Sequence, residues 1–208
     1  MKNILVGILL IFSINLYADL VSKGYNAYSN ENYNRAVKLW DKACENGNSQ
    51  GCYNLAYMYA NGKGMRHNYK KGVKLYAKAC NGGIGGACSN LGIMYENGVG
   101  TTRDYQRSIK LYEKACNGGD STGCYNLGIM YYKGRGVEKN YHKAKKLYSK
   151  TCHKGNPRGC YNLGEMYEKG KSLRQNKSRA KVLYGISCDL GNKRGCRRYK
   201  RLNEDGIN

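Results

Sequence analysis

The chemistry-bearing residues that stand out in this 208-residue chain are ten cysteines. They fall in five pairs: Cys44 and Cys52, Cys80 and Cys88, Cys116 and Cys124, Cys152 and Cys160, Cys188 and Cys196. Within each pair the offset is 8, and from one pair to the next it is 36, without drift. Cysteines at such spacing could serve as nucleophiles, hold metal or form bridges. A Cys-x7-Cys gap is wider than the roughly two to four residues of a zinc knuckle, and the chain has only 3 histidines. Zinc is the competing reading, bridging within each pair the favoured one, and no metal or other cofactor is expected. Full pairing leaves no thiol over as a nucleophile. Each bridge would close a short loop, which contributes about 2–3 kcal/mol by the chain-entropy argument.

A second column could recognise a ligand. Asn54, Asn90, Asn126 and Asn162 recur on the same 36-residue ruler, preceded at three places by Tyr53, Tyr125 and Tyr161, with Ser89 breaking the tyrosine column. A carboxamide both donates and accepts, so a row of them suits an extended peptide or an N-acetyl sugar, and exposed tyrosines stack on either. The alternative is that these asparagines bond between repeats and only build the fold, with most tyrosines in the core.

The elements that must position both columns follow the same period. Leu55, Met58, Tyr59 and Gly62 lie at i, i+3, i+4 and i+7, one face of a helix A. The segment from Tyr105 to Cys116 carries Ile109, Leu111, Tyr112 and Ala115 and reads as a helix B. Gly-x-Gly separates A from B, as at Gly98 and Gly100, where glycine can take the left-handed conformation that ends a helix. The first cysteine of a pair then ends helix B and the second opens the next helix A, so the sulfurs can meet across a hairpin. A fixed period of this size means stacked supersecondary units. The ends depart from it. The loop Asn30–Asn32 lacks Gly-x-Gly, Ser172 replaces the second glycine, and Arg197 to Arg201 stands where Asn-Leu-Gly is expected. Atypical ends suit capping repeats.

Composition and termini limit the class further. A short basic start followed by the apolar run Ile4–Ile14 and a small residue at Ala18 predicts a signal peptide over 1–18. The run is shorter than the ~20 residues of a membrane span. Residues 19–208 are then a single solenoid, secreted to the periplasm or outside the cell, where ten cysteines are at home. Mean hydropathy of −0.72 argues against a polytopic membrane protein. The net charge of +22 reads as solubility or as attraction to an anionic envelope or acidic partner. Nucleic acid is not expected, given secretion and no matching motif.

The stretch from Gly123 to Val137, followed by Tyr141, Ala144, Leu147-Tyr148 and Cys152, resembles the Sel1-like repeat, a relative of the tetratricopeptide repeat. With the signal sequence and the paired cysteines, the chain resembles the Helicobacter cysteine-rich protein family over about residues 33–196. The resemblance implies an all-α fold, a right-handed α/α superhelix with a concave face. It also implies penicillin binding and weak β-lactam hydrolysis. The residues give that activity little support. A serine β-lactamase needs Ser-x-x-Lys on a helix, and Ser178-Arg179-Ala180-Lys181 matches once, about as often as chance allows in a lysine-rich chain. No Ser-Asp-Asn or Lys-Thr-Gly accompanies it, and His67, His142 and His153 are scattered. The catalytic residues therefore stay unassigned. The expectation is a disulfide-stapled Sel1-like solenoid, a monomer that does not span the membrane. Its ligand is a peptidoglycan fragment, a β-lactam or a peptide or protein. The alternative is a noncatalytic protein-interaction scaffold.

Overall fold

A computed structural model describes residues 19–171 and 174–207. The expected signal peptide and Ser172 lie outside them. Among the described residues eleven helices occur and no strand. They are α1 (19–29), α2 (Tyr33–Glu45), α3 (Ser49–Asn61), α4 (Tyr69–Asn81), α5 (Gly85–Asn97), α6 (Tyr105–Asn117), α7 (Ser121–Lys133), α8 (Tyr141–His153), α9 (Pro157–Lys169), α10 (Lys177–Asp189) and α11 (Lys193–Glu204). The chain divides into two compact units between Asp104 and Tyr105. Within each unit, helices that follow one another in sequence pack side by side.

Local chemistry sets nearly every boundary. Asparagine or aspartate caps most helices, as Asn48, Asn68, Asp120 and Asn140 do by accepting from a first-turn amide. The two glycines of each Gly-x-Gly have different jobs. Gly62, Gly98, Gly134 and Gly170 are left-handed C-caps with φ of 63–70°. The second glycine is also left-handed, and it lies against backbone: a Cβ on Gly100 would stand 2.5 Å from the carbonyl carbon of Tyr69. The first loop, without glycine, puts Glu31 at φ 58°, the one non-glycine residue there among those described.

The core repeats with the sequence. Trp40, Tyr76, Tyr112, Tyr148 and Tyr184 are all buried on successive B helices, against Leu55, Leu91, Leu127 and Leu163 and the methionines Met58, Met94, Met130 and Met166. Leu202 takes the methionine position in α11 and is buried. Small residues let the layers close; Ala36, Ala144 and Ala180 are fully covered. All five cysteine pairs are bridged within the pair, with Cα atoms 4.5 Å apart in four and 4.7 Å in Cys80–Cys88. No described cysteine is free. Five such bridges belong to an oxidising, extracytoplasmic compartment.

Candidate binding site

The asparagine column sits on the A helices, turned toward the buried aromatic residue of the preceding B helix. In the N-terminal unit Asn90 faces the Tyr76 hydroxyl, and in the C-terminal unit Asn162 faces that of Tyr148. Burial pushes both phenols well above their usual value, and the carboxamide pulls the other way. Asn126 is half-buried at the same place on α7. At the chain ends the pair is rewritten. Trp40 replaces the tyrosine and donates instead to the Val21 carbonyl at 3.2 Å. Asn54, 5% exposed, therefore accepts from the Tyr25 hydroxyl at 3.1 Å and from Gln50 Nε2 at 3.0 Å, and its Nδ2 has no partner. On α11 the asparagine becomes Arg198. The Tyr184 hydroxyl then donates to Glu168 at 2.7 Å, and Arg198 and Arg201 both pair with that carboxylate.

The tyrosines beside the column are half-buried and pack on the same aromatic core. Ring centroids are 5.9 Å apart for Tyr53 and Tyr76, 6.1 Å for Tyr125 and Tyr148, and 5.4 Å for Tyr161 and Tyr184. In the C-terminal unit Tyr125, Tyr161 and Asn162 line one cleft of about 660 Å³, rimmed by Arg158, Lys193 and Arg197. Tyr125 and Arg158 also line a neighbouring cleft of about 450 Å³ with Ser121 and Lys154. In the N-terminal unit Asn90 and Tyr76 border a smaller, more apolar cleft of about 280 Å³ with Tyr57, Tyr69 and Ile93. Tyr53 lies outside it, against Gly86.

Arg158 and Lys154 were not among the residues singled out by sequence, because neither follows the period. Position 158 is Gln50, Gly86 and Thr122 in the earlier repeats, and Arg194 in the last. Basic residues thus enter this column only toward the C-terminus.

The residues considered for catalysis do not converge. Ser178 is exposed in the first turn of α10, and Lys181 Nζ donates to the Ile207 carbonyl at 2.6 Å. His67 Nδ1 lies 3.2 Å from the Ala60 carbonyl, His153 Nδ1 lies 2.7 Å from that of Ser149, and His142 is exposed. Among the described residues no three His, Cys, Asp or Glu side chains are placed to hold a metal. No described helix is long and apolar enough to cross a membrane.

A helix–turn–helix unit of 36 residues, repeated along the chain, defines a class, and comparison with known proteins supplies it. The chain belongs to the Sel1 repeat family, whose model matches residues 13–48, 49–84, 86–120, 121–156 and 157–192. Its similarity to two Helicobacter pylori proteins places it with the cysteine-rich Sel1-repeat proteins of that genus. It is 37% identical over 70 residues to the Helicobacter pylori protein HcpE, whose name carries a proposed β-lactamase activity; the match covers 31% of this chain and a fifth (20%) of that one. Cysteine-rich protein B of Helicobacter pylori is similar at 30% identity and a TM-score of 0.50, over 61% of this chain and 94% of that. A Sel1 repeat protein from Oxalobacter formigenes superposes with a TM-score of 0.84 at 26% identity, over 89% of this chain and 76% of that.

Proposed function

We propose that the protein is an extracytoplasmic binding scaffold that holds a peptide, a protein segment or a peptidoglycan fragment on its A helices and performs no rapid chemistry. The working chain is residues 19–208, released as a monomer to the periplasm or the outside once 1–18 is removed. The observation that carries this reading is the open cleft of about 660 Å³ lined by Tyr125, Tyr161 and Asn162. Its size is that of ligand clefts generally, and its walls offer flat aromatic faces beside a carboxamide. Nothing in it resembles a nucleophile with its base. Calorimetric titration with muropeptides and with extended peptides tests the reading. Stoichiometric binding weakened several-fold by Tyr125→Ala supports it, and the absence of binding to either class of ligand refutes it.

The likeness to HcpE favours a second reading, β-lactam binding with weak hydrolysis. The two overlap chemically, because a β-lactam mimics the D-Ala-D-Ala end of a muropeptide. Labelled penicillin should then compete with muropeptide. Ser178→Ala should change hydrolysis little, since Lys181 is engaged elsewhere; complete loss in that variant would make Ser178 the nucleophile.

A further inference from the structure

We propose that the cleft between the starts of α9 and α11 docks an acidic, extended polypeptide segment. The inference rests on the reading of this chain as a binding scaffold and assigns that cleft its partner chemistry. Four cations line it, Arg158 from α9 and Lys193, Arg194 and Arg197 from α11, and all four are exposed. No carboxylate lines the cleft, and among the described residues none of the four pairs with one. The nearby acid, Glu168, is already taken by Tyr184, Arg198 and Arg201.

The fold does not need these charges. Three of them, Arg158, Lys193 and Arg194, lie in the first turn of their helices, where the helix dipole disfavours a cation. The matching positions at the start of α3, α5 and α7 are Ser49 and Gln50, Gly85 and Gly86, and Ser121 and Thr122. Like charges held together in an unfavourable place, with no internal anion, are arranged for an external one.

The geometry separates a chain of carboxylates from a single small anion. A helix start usually binds a lone phosphate through free amides. Here those amides are largely occupied. Pro157 has none, Arg158 N donates to the Asn156 side chain at 3.0 Å, and Gly159 and Cys160 donate to the Asn156 carbonyl. Arg194 N donates to the Asn192 side chain at 3.0 Å, and Cys196 N to its carbonyl. Recognition is left to side chains spread along a wall. Lys193 and Arg197 are neighbours at i and i+4, about 5–6 Å apart at Cβ. Alternate side chains of an extended peptide are about 6.6 Å apart, a comparable step. Tyr125 and Tyr161 supply flat faces for the methylenes and backbone between the carboxylates.

The test is fluorescence anisotropy on the full mature chain, using a labelled ten-residue peptide rich in Glu and Asp and its Gln and Asn counterpart. Two triple variants carry equal charge loss: Arg158→Gln, Lys193→Gln, Arg197→Gln in the cleft, and Lys38→Gln, Lys70→Gln, Lys74→Gln on exposed sites of the N-terminal unit. We expect the acidic peptide to bind at least tenfold tighter than its neutral counterpart. The cleft variant should lose at least tenfold and the control less than twofold, with the melting temperature of the cleft variant unchanged or raised. Equal loss in both variants would reduce the effect to net charge and overturn the proposal. Tighter binding of polyphosphate or anionic vesicles than of the peptide, lost in the cleft variant, would replace the polypeptide by a phosphate ligand. Muropeptide binding that survives without any preference for the acidic peptide would overturn this proposal and leave the scaffold reading standing. Failure of every ligand to bind would remove both.

Discussion

Cys116–Cys124 and Cys188–Cys196 occupy the same place in the repeat, within one compact unit, and differ in how well they are covered. The first bridge is sealed, at 3% and 0% exposure, and Lys150 from the following B helix reaches the Cys116 carbonyl at 3.4 Å and its Sγ at 3.8 Å. Lys78 does the same for the Cys44 carbonyl, at 2.6 Å, in the N-terminal unit. The lysine that would cover Cys152 is replaced by Ile186, which is itself exposed, and Cys152 is only half-buried. Both cysteines of Cys188–Cys196, which joins α10 to α11, are half-buried. The polar pair changes in step: Tyr148 meets Asn162, while Tyr184 turns to Glu168 because its asparagine has become Arg198. An inner bridge is thus sealed where a lysine of the following B helix reaches over it, and is more open where that lysine is missing.

The largest separation of the two regions should come from removing a bridge. Replacing both cysteines of either pair by serine forfeits about 2–3 kcal/mol of loop constraint. At Cys116 and Cys124 it also buries two hydroxyls, each costing about 1–3 kcal/mol if left without a partner. Urea unfolding should therefore show the inner double variant as the less stable of the two. Equal losses would mean that the cover over the inner bridge adds nothing.

Polar pairs come next. Asn162→Ala removes the carboxamide that faces the buried Tyr148 hydroxyl and should cost about 1 kcal/mol or more. Arg198→Ala removes a partly exposed ion pair and should cost below about 1 kcal/mol. Thermal melts distinguish them, and a reversed order would show that the inner pair is not a stabilising contact. Alkaline pH probes the same tyrosines. Tyr76, Tyr148 and Tyr184 are pushed far above the usual value near 10, chiefly by burial. Below pH 10 folded and unfolded chains both hold these protons, so the stability is fully present. Above it the unfolded chain releases them first, and stability falls by roughly 1 kcal/mol per tyrosine per pH unit. Tyr148→Phe should flatten that fall; an unchanged slope would mean that Tyr148 ionises freely in the folded protein. The smallest effect belongs to the first loop. Glu31→Gly relieves a left-handed residue that the inner loops fill with glycine, and should gain up to about 1 kcal/mol in denaturant midpoint. A loss would show that the Glu31 side chain stabilises its turn.

Much of this architecture is legible in the sequence. The 36-residue ruler gives the helices, the glycine turns and the bridged pairs, because each depends on residues close in sequence. The asparagine column was legible as a column but ambiguous in role. Whether Asn162 faces a ligand or Tyr148 depends on the rotation of one helix against its neighbour, and period alone does not fix that. The paired exceptions, Trp40 with a rearranged Asn54 and Arg198 with a redirected Tyr184, carried the hint that the two columns touch. The cleft was missed for a different reason. Arg158 interrupts the repeat instead of following it, and becomes a wall only when α11 brings Lys193, Arg194 and Arg197 beside it.

The central claim is that the A-helix cleft binds and does not catalyse. Calorimetric binding and turnover of a chromogenic cephalosporin, measured on one preparation and on Tyr125→Ala with Arg158→Gln, test it directly. The account predicts stoichiometric heat with peptide or muropeptide, reduced several-fold in the variant, and turnover no faster than with unfolded protein. Multiple turnovers by the folded chain, abolished by the same two substitutions, would contradict it.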